Sequence, residues 1–186
     1  KEADDIDFSS VFFANLIIAS LLYIFLYISS DRLALFYDNP ILSPITKVLS
    51  LNIIFGAFSA VHNAYLSKNL DFKKSFYRKL SYIVSYGLVG IILAYSGLGV
   101  WALVYARVSG TFLGSLVLWI SVPWKPQLTF SLSRLKQLFK YSSKILGSNL
   151  FTQFFYHLNS LLIGKFHPTS DLGYYQKGRQ IPELVM

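Results

Sequence analysis

One arginine and two stripes of amide side chains are where this sequence could do chemistry. Arg107 sits inside an apolar run, 98–120, about 13 Å along the helix from its nearer end. A cation at that depth costs roughly 2.5–3.5 kcal/mol on insertion scales, so such residues face a partner or a polar cavity. No Asp or Glu lies within any of the apolar runs to pair with it. Facing a cavity, an unpaired guanidinium suits an anionic ligand such as a phosphate. The alternative is that its long stem snorkels to the outer headgroups.

Asn52, Gly56, Ser59 and Asn63 recur at i, i+4, i+7 and i+11, which is one face of a helix, with His62 beside it. Asn149, Gln153, Tyr156 with His157, Ser160 and Gly164 repeat the pattern in a later run. In hydrocarbon such side chains must face other helices or water. They either glue helices together or line one hydrophilic cavity with Arg107. The candidate binding residues are therefore Arg107, Asn52, Asn63, Asn149, Gln153 and His157. His62 and His157 have no carboxylate or thiolate at ligand spacing, so no metal site is expected. No Gly-rich phosphate loop, nucleophile elbow or carboxylate pair occurs, which points away from an enzyme and from any cofactor. The lack of intramembrane acids argues against a proton or cation relay here. Cysteine is absent, so thiol chemistry is excluded.

Long apolar runs must carry these residues. Of 186 residues 54% are hydrophobic and 14% charged, and the mean hydropathy is +0.48. A soluble domain carries about 25% charged residues. Here the apolar residues come in blocks of membrane-spanning length, so the expected fold is all-α, a polytopic transmembrane bundle of about five spanning helices plus an amphipathic interfacial helix. The runs cover 8–28, 45–66, 80–96, 98–120 and 142–164. The last would rise about 34 Å, enough for a hydrocarbon core of about 30 Å. Pro40 and Pro44 stop a helix after the first run. The link Gly97-Leu98-Gly99 is so tight that the third and fourth spans must be antiparallel. Trp101 and Trp119 fit an aromatic belt, and Gly110 with Gly114 forms a small-xxx-small step for close helix contact. With no signal peptide at its acidic start and a new helical segment at its end, the chain is expected to be an internal piece of a longer protein.

Charge sets orientation. The net charge of +8 is spread over short loops, which fits topology and anionic headgroups rather than nucleic acid. The connector SVPWKPQLTFSLSRLKQLFKYSSK, 121–144, carries Lys125, Arg134, Lys136, Lys140 and Lys144 and no acid. Alternating loops put eleven Lys and Arg on the connector's side and five on the other, with Arg107 between them. Such a bias makes the connector cytoplasmic. Within it Leu132, Leu135, Leu138 and Phe139 oppose Arg134, Lys136, Gln137 and Lys140, as in an interfacial helix on anionic lipid, or else one that binds a cytoplasmic partner. The organisation read from these features is a first membrane lobe over 1–120, a basic linker over 121–141 and the start of a second lobe over 142–186.

The connector with the fifth run, VPWKPQLTFSLSRLKQLFKYSSKILGSNLFTQFFYHLNSLLIGKF, and the later DLGYYQKGRQIPELV resemble the middle of Wzx-type polysaccharide exporters, in the colanic-acid and teichuronic-acid exporter branch of the multidrug/oligosaccharidyl-lipid/polysaccharide superfamily. The shared features are a Trp-x-Pro linker, a basic helix leading into a span, and a Gly-Tyr-Tyr-polar-basic signature. LSLNIIFGAFSAVHNAYLSKNLDFKKSFYRKLS and SGLGVWALVYARVSGTFLGSLVLW are similar to earlier parts of the same proteins. One departure is Lys177-Gly178 in place of Arg-Ala, a weaker helix former. The resemblance implies a two-lobe flippase of the bacterial inner (cytoplasmic) membrane. It would move undecaprenyl-pyrophosphate-linked oligosaccharide by alternating access, with Arg107 lending a cationic lumen. Its expected partners are membrane lipid and the lipid-linked oligosaccharide, with contact to the polysaccharide-synthesis machinery, as a monomer and without nucleic acid. The rivals are a multidrug or cation-coupled exporter of the same fold, a membrane-bound enzyme of envelope-polysaccharide synthesis, and a purely structural membrane protein.

Overall fold

The acidic start of the chain caps its first helix. In the computed structural model, which describes residues 4–183, Asp4 accepts from the Asp7 backbone N–H at 3.0 Å. Asp7 in turn accepts from the Asp4 N–H at 3.2 Å, a reciprocal capping box at the positive end of the helix dipole. Helix α1 (Asp5–Phe36) then runs for 32 residues, about 48 Å, well beyond the thickness of a hydrocarbon core. Asp31 and Arg32, expected in a loop, belong to its last turns. No breaker precedes Pro40, and charges are tolerated in a helix once it has left the lipid. Asp38, at φ 52°, closes the turn, a conformation that Asp tolerates better than most residues.

The expected second span is two helices, α2 (Leu42–Leu49) and α3 (Leu51–Lys68), meeting at Ser50. Around this joint local side chains compete for the ladder. Ser50 Oγ donates to the Lys47 carbonyl at 2.8 Å and Asn52 Nδ2 to that of Leu49 at 2.9 Å. Pro44 sits in the first turn of α2, where its missing N–H costs nothing. After a turn through Leu70, Asp71 caps α4 (Phe72–Tyr95), so most of the basic stretch 67–79, expected as a loop between the second and third runs, is helix. Gly97 and Gly99, at φ 79° and 54°, make the tight link to α5 (Val100–Ser121), and α4 and α5 pack as the most extensive pair in the molecule.

The expected interfacial helix and fifth span are continuous as α6 (Leu132–Phe166), because no Pro or turn cluster separates them. Helix α7 (Thr169–Glu183) comes next and accommodates Lys177-Gly178. Lys1, one of the cations on the connector's side, and Met186, the last residue, lie outside the described residues. Among the described residues three segments are long and apolar enough to cross a membrane by length and composition: Asp5–Phe36, Leu42–Lys68 and Val100–Ser121. Helices α4 and α6 are also long but carry cations in their first turns, Lys73, Lys74, Arg78 and Lys79 in one, Arg134, Lys136 and Lys140 in the other. The chain is an all-α membrane protein.

Its main core lies where the start of α1 meets the ends of α3 and α5. Phe12, Val61, Leu66 and Leu118 are buried there together with Val122 and Trp124 of the connector. The Trp124 ring stacks on Tyr65 at 6.2 Å and meets Phe8 edge-on at 5.8 Å. Beyond it the connector runs extended across the start of α1. An extended strand has backbone donors to satisfy. Gln127 N–H donates to Ser9 Oγ and Ser131 N–H to Ser10 Oγ, both at 3.0 Å, and both serines are fully buried. Up to Ser131, the basic joint is strapped down.

Candidate functional site

Glycine makes room for a polar seam between α3, α4 and α5. A Cβ on Gly110 would stand 3.1 Å from the Tyr82 carbonyl oxygen, and one on Gly114 would stand 3.6 Å from that of Arg78. The helices therefore cross almost backbone to backbone. Beside the crossing is a cavity of about 110 Å³ lined by Gly56, Ser59 and Asn63 of α3, Arg78 and Tyr82 of α4, and Thr111, Gly114 and Ser115 of α5. Ser115 Oγ bridges the Phe55 carbonyl at 2.9 Å and the Thr111 carbonyl at 2.8 Å, and pairs with Ser59 Oγ across the interface. The Arg78 side chain forms no ion pair among the described residues. A cation, an amide and several hydroxyls can hold waters, an anionic oxygen or a sugar hydroxyl. The volume admits only a few waters at a time.

Asn63, Ser59 and Gly56 of the predicted stripe thus share one cavity. Asn52 does not reach it; its Oδ1 is buried without a partner near the Ser50 joint. Arg107 is exposed on α5, one turn from Thr111, whose hydroxyl donates to the Arg107 carbonyl at 3.0 Å. Its guanidinium has no ion pair among the described residues. Asn149, Gln153 and His157 lie on the exposed surface of α6, where Gln153 and His157 border a shallow groove among Phe151, Phe154 and Leu161. Among the helices of the described residues α6 touches α1 and α7 alone, so the two polar stripes do not meet.

Sequence reasoning misses Arg78 because it groups that residue with the loop cations. The available signal is its i, i+4 spacing from Tyr82 on a face opposite Gly110 and Gly114. His62 is fully buried, with Nδ1 3.1 Å from the Phe58 carbonyl and its ring 5.0 Å from Trp119 and 5.4 Å from Trp124. It is a packing residue of the aromatic core. Among the described residues no group of three or more His, Cys, Asp or Glu is placed to hold a metal ion.

Ion pairs link elements far apart in sequence. Arg134, in the first turn of α6, reaches both acids of the α1 capping box, Asp4 and, at 3.5 Å, Asp7. The hydrogen bond that its guanidinium donates to the Asp4 carboxylate is the main reason Arg134 is held above its ordinary pKa. At the other end of the same two helices Lys165 pairs with Asp38 at 3.0 Å and donates to the Phe36 carbonyl. Nothing in the local sequence pattern pairs these residues.

The sequence matches known proteins along nearly its whole length. The teichuronic acid biosynthesis protein TuaB of Bacillus subtilis (strain 168) is 25% identical over 183 residues, covering 97% of this chain and 38% of TuaB. The succinoglycan biosynthesis transport protein ExoT of Rhizobium meliloti (strain 1021) is 24% identical over 179 residues, 94% of this chain and 35% of ExoT. The amylovoran biosynthesis protein AmsL of Erwinia amylovora is 22% identical over 176 residues, 93% and 45% of the two chains. The chain thus spans less than half the length of each of these relatives. No solved structure matches it. A family model described as "Polysaccharide biosynthesis protein" matches residues 1–186, all of the helices and the connector alike, and the chain belongs to that family.

Proposed function

We propose that this chain is the middle portion of a multi-pass transporter of the bacterial cytoplasmic membrane that exports polysaccharide precursors and performs no covalent chemistry. The substrate is an oligosaccharide linked to undecaprenyl pyrophosphate, carried across by alternating access between a lobe over 1–120 and one beginning at 142. The carrying observation is the family match over the whole chain, with a relative whose name includes transport among those it resembles. Consistent with it are Arg78 and Arg107, which form no ion pair among the described residues, and the hydroxyls of the seam between α3 and α5, groups suited to a diphosphate and sugars.

In this reading Arg107 attracts the pyrophosphate from the outer half of α5. The seam around Asn63 and Arg78 and the α6 stripe of Asn149, Gln153 and His157 meet sugar hydroxyls, and Asn52 supports the Ser50 joint beside them. The test is a deletion strain complemented with the full-length protein. Without the protein, lipid-linked oligosaccharide should accumulate on the cytoplasmic side and surface polysaccharide should fall to background. Arg107→Ala should export at least severalfold more slowly at equal membrane abundance. Normal polysaccharide in the deletion strain would remove the transport reading, and wild-type export by Arg107→Ala would remove the Arg107 assignment alone.

A further inference from the structure

Helices α1 and α6 run parallel, and they are held together at their ends rather than along their length. At the connector end Arg134 meets Asp4 and Asp7, and Ser10 accepts from the Ser131 N–H. At the far end Lys165 meets Asp38 and the Phe36 carbonyl, its ammonium 4.9 Å from the Phe36 ring, and the Tyr37 ring lies 3.5 Å from where a Gly164 Cβ would stand. Between them, starting just inside the connector end, is a cleft of about 770 Å³. Val11, Asn15 and Ile18 of α1 and Leu135, Phe139 and Leu146 of α6 are on its walls. The far-end groups lie beyond a helix of 32 residues, so the two sets stand about 48 Å apart, more than a hydrocarbon core of about 30 Å and enough to put one set outside each of its surfaces.

We infer that these are two ionic gates, one at each membrane face, which release α6 from α1 in turn. Three physical features make the joints releasable. Each is built from charged groups at least a quarter exposed on their cationic side, 30% for Arg134 and 26% for Lys165, so water can replace the partner. No residue of α6 whose side chain is described is buried, so opening the pair breaks no core. Trp124, by contrast, is 7% exposed in its aromatic socket, so the connector keeps a fixed anchor on one side of the moving joint. Between that anchor and the first turn of α6 lie residues 125–131, strapped to α1 by the Gln127 and Ser131 N–H groups, and the Ser131 bond is released together with Arg134 when the connector end opens. This inference rests on the transport reading for its consequence but not for its geometry.

The experiment uses full-length protein in membranes, with any cysteine outside this region removed. A single Asn15→Cys reports on the cleft by its labelling rate with a membrane-impermeant maleimide added from one face at a time. Arg134→Gln should raise labelling severalfold from the connector face only, and Lys165→Gln from the opposite face only. Asp4→Asn with Asp7→Asn should act like Arg134→Gln, because Asn retains the helix cap while removing the charge. Equal labelling in all variants, or an increase on both faces from either one, overturns the gates. In a second arm, Asp4→Cys with Arg134→Cys, or Asp38→Cys with Lys165→Cys, is joined by a cleavable bifunctional maleimide. Either cross-link alone should halt export, and cleavage should restore it. Continued export by fully cross-linked protein overturns alternation. If the deletion strain exports normally, the transport reading fails, and the labelling arm still decides the gates.

Discussion

The α4–α5 hairpin and the α1–α6 pair are both pairs of long helices, and they are built on opposite principles. The hairpin closes through contact along its axis: Gly90 against Ala106, Gly110 under Tyr82, Gly114 against Arg78. The α1–α6 pair meets mainly at its ends, through ion pairs, around an open cleft. In lipid there is no hydrophobic drive between helices, so close packing and hydrogen bonds decide what stays together. A glycine crossing holds two backbones in one relation and cannot be exchanged for water. An exposed ion pair can. The contrast separates a rigid body, α1 to α5 with the Trp124 socket, from a helix docked on it releasably.

The largest effect should come from the socket that anchors the connector to the rigid body. Trp124→Ala removes a side chain that is 7% exposed and touches Phe8, Tyr65 and His62. Truncating a buried aromatic costs about 3–5 kcal/mol. Purified protein should unfold at clearly lower temperature, and protease should cut within 122–131. Resistance equal to wild type would mean that the socket does not hold the strap.

The next substitution tests the contrast directly. Leucine at Gly110 meets the Tyr82 carbonyl, which cannot rotate away as a side-chain tip could, and overpacking of this kind costs about 1–3 kcal/mol or more. Leucine at Gly147 in α6 meets nothing within 4 Å and improves helix propensity by up to about 1 kcal/mol. Thermal melts in detergent should therefore move in opposite directions. If both variants lose stability equally, α6 is packed along its length and the two-principle description is wrong.

How much of this could be read from the chain divides along the same line. The hairpin was legible, because the Gly97-Leu98-Gly99 link and the Gly110–Gly114 step are local patterns. So was the face of Gly56, Ser59 and Asn63, since helical period puts them together whatever the rest does. The missing parts depend on distance in sequence or on a boundary. Asp31 and Arg32 look like loop residues only if a helix must end where the lipid does. Arg78 looks like a loop charge for the same reason. The strap from Gln127 and Ser131 to Ser9 and Ser10, and the pairing of Arg134 with Asp4, join residues more than a hundred positions apart. No periodicity encodes them. The expected break between connector helix and fifth span is absent because amphipathic character changes along α6 without any breaker to end the helix.

A smaller effect is expected at the hydroxyl pair inside the rigid body. Ser59 and Ser115 are both buried, and their contact joins α3 to α5. Interhelical hydrogen bonds in membranes average about 0.6 kcal/mol, since the separated helices find other partners. Ser59→Ala, Ser115→Ala and the double variant form a cycle whose coupling should be of that order. A coupling indistinguishable from zero would leave the seam held by its glycines alone.

The smallest effect concerns the start of α4 and has a pH signature. Asp71 accepts from the Lys74 N–H at 3.1 Å and pairs with the Lys74 ammonium at 2.9 Å. The Lys74 side-chain bond, with the backbone bond behind it, holds the carboxyl below its ordinary value. A carboxyl depressed in the folded state binds its proton less readily there than in the unfolded chain. Its contribution is therefore complete above the ordinary carboxylate range, about pH 4, and is lost as pH falls through the folded value. Asp71→Asn keeps a cap acceptor but cannot titrate. Hydrogen exchange at the Lys74 amide should accelerate on acidification in the wild type more than in Asp71→Asn, after correction for intrinsic rates. Identical acid responses would assign the cap to geometry alone, and the charge on Asp71 would then play no part in starting the helix that carries Arg78.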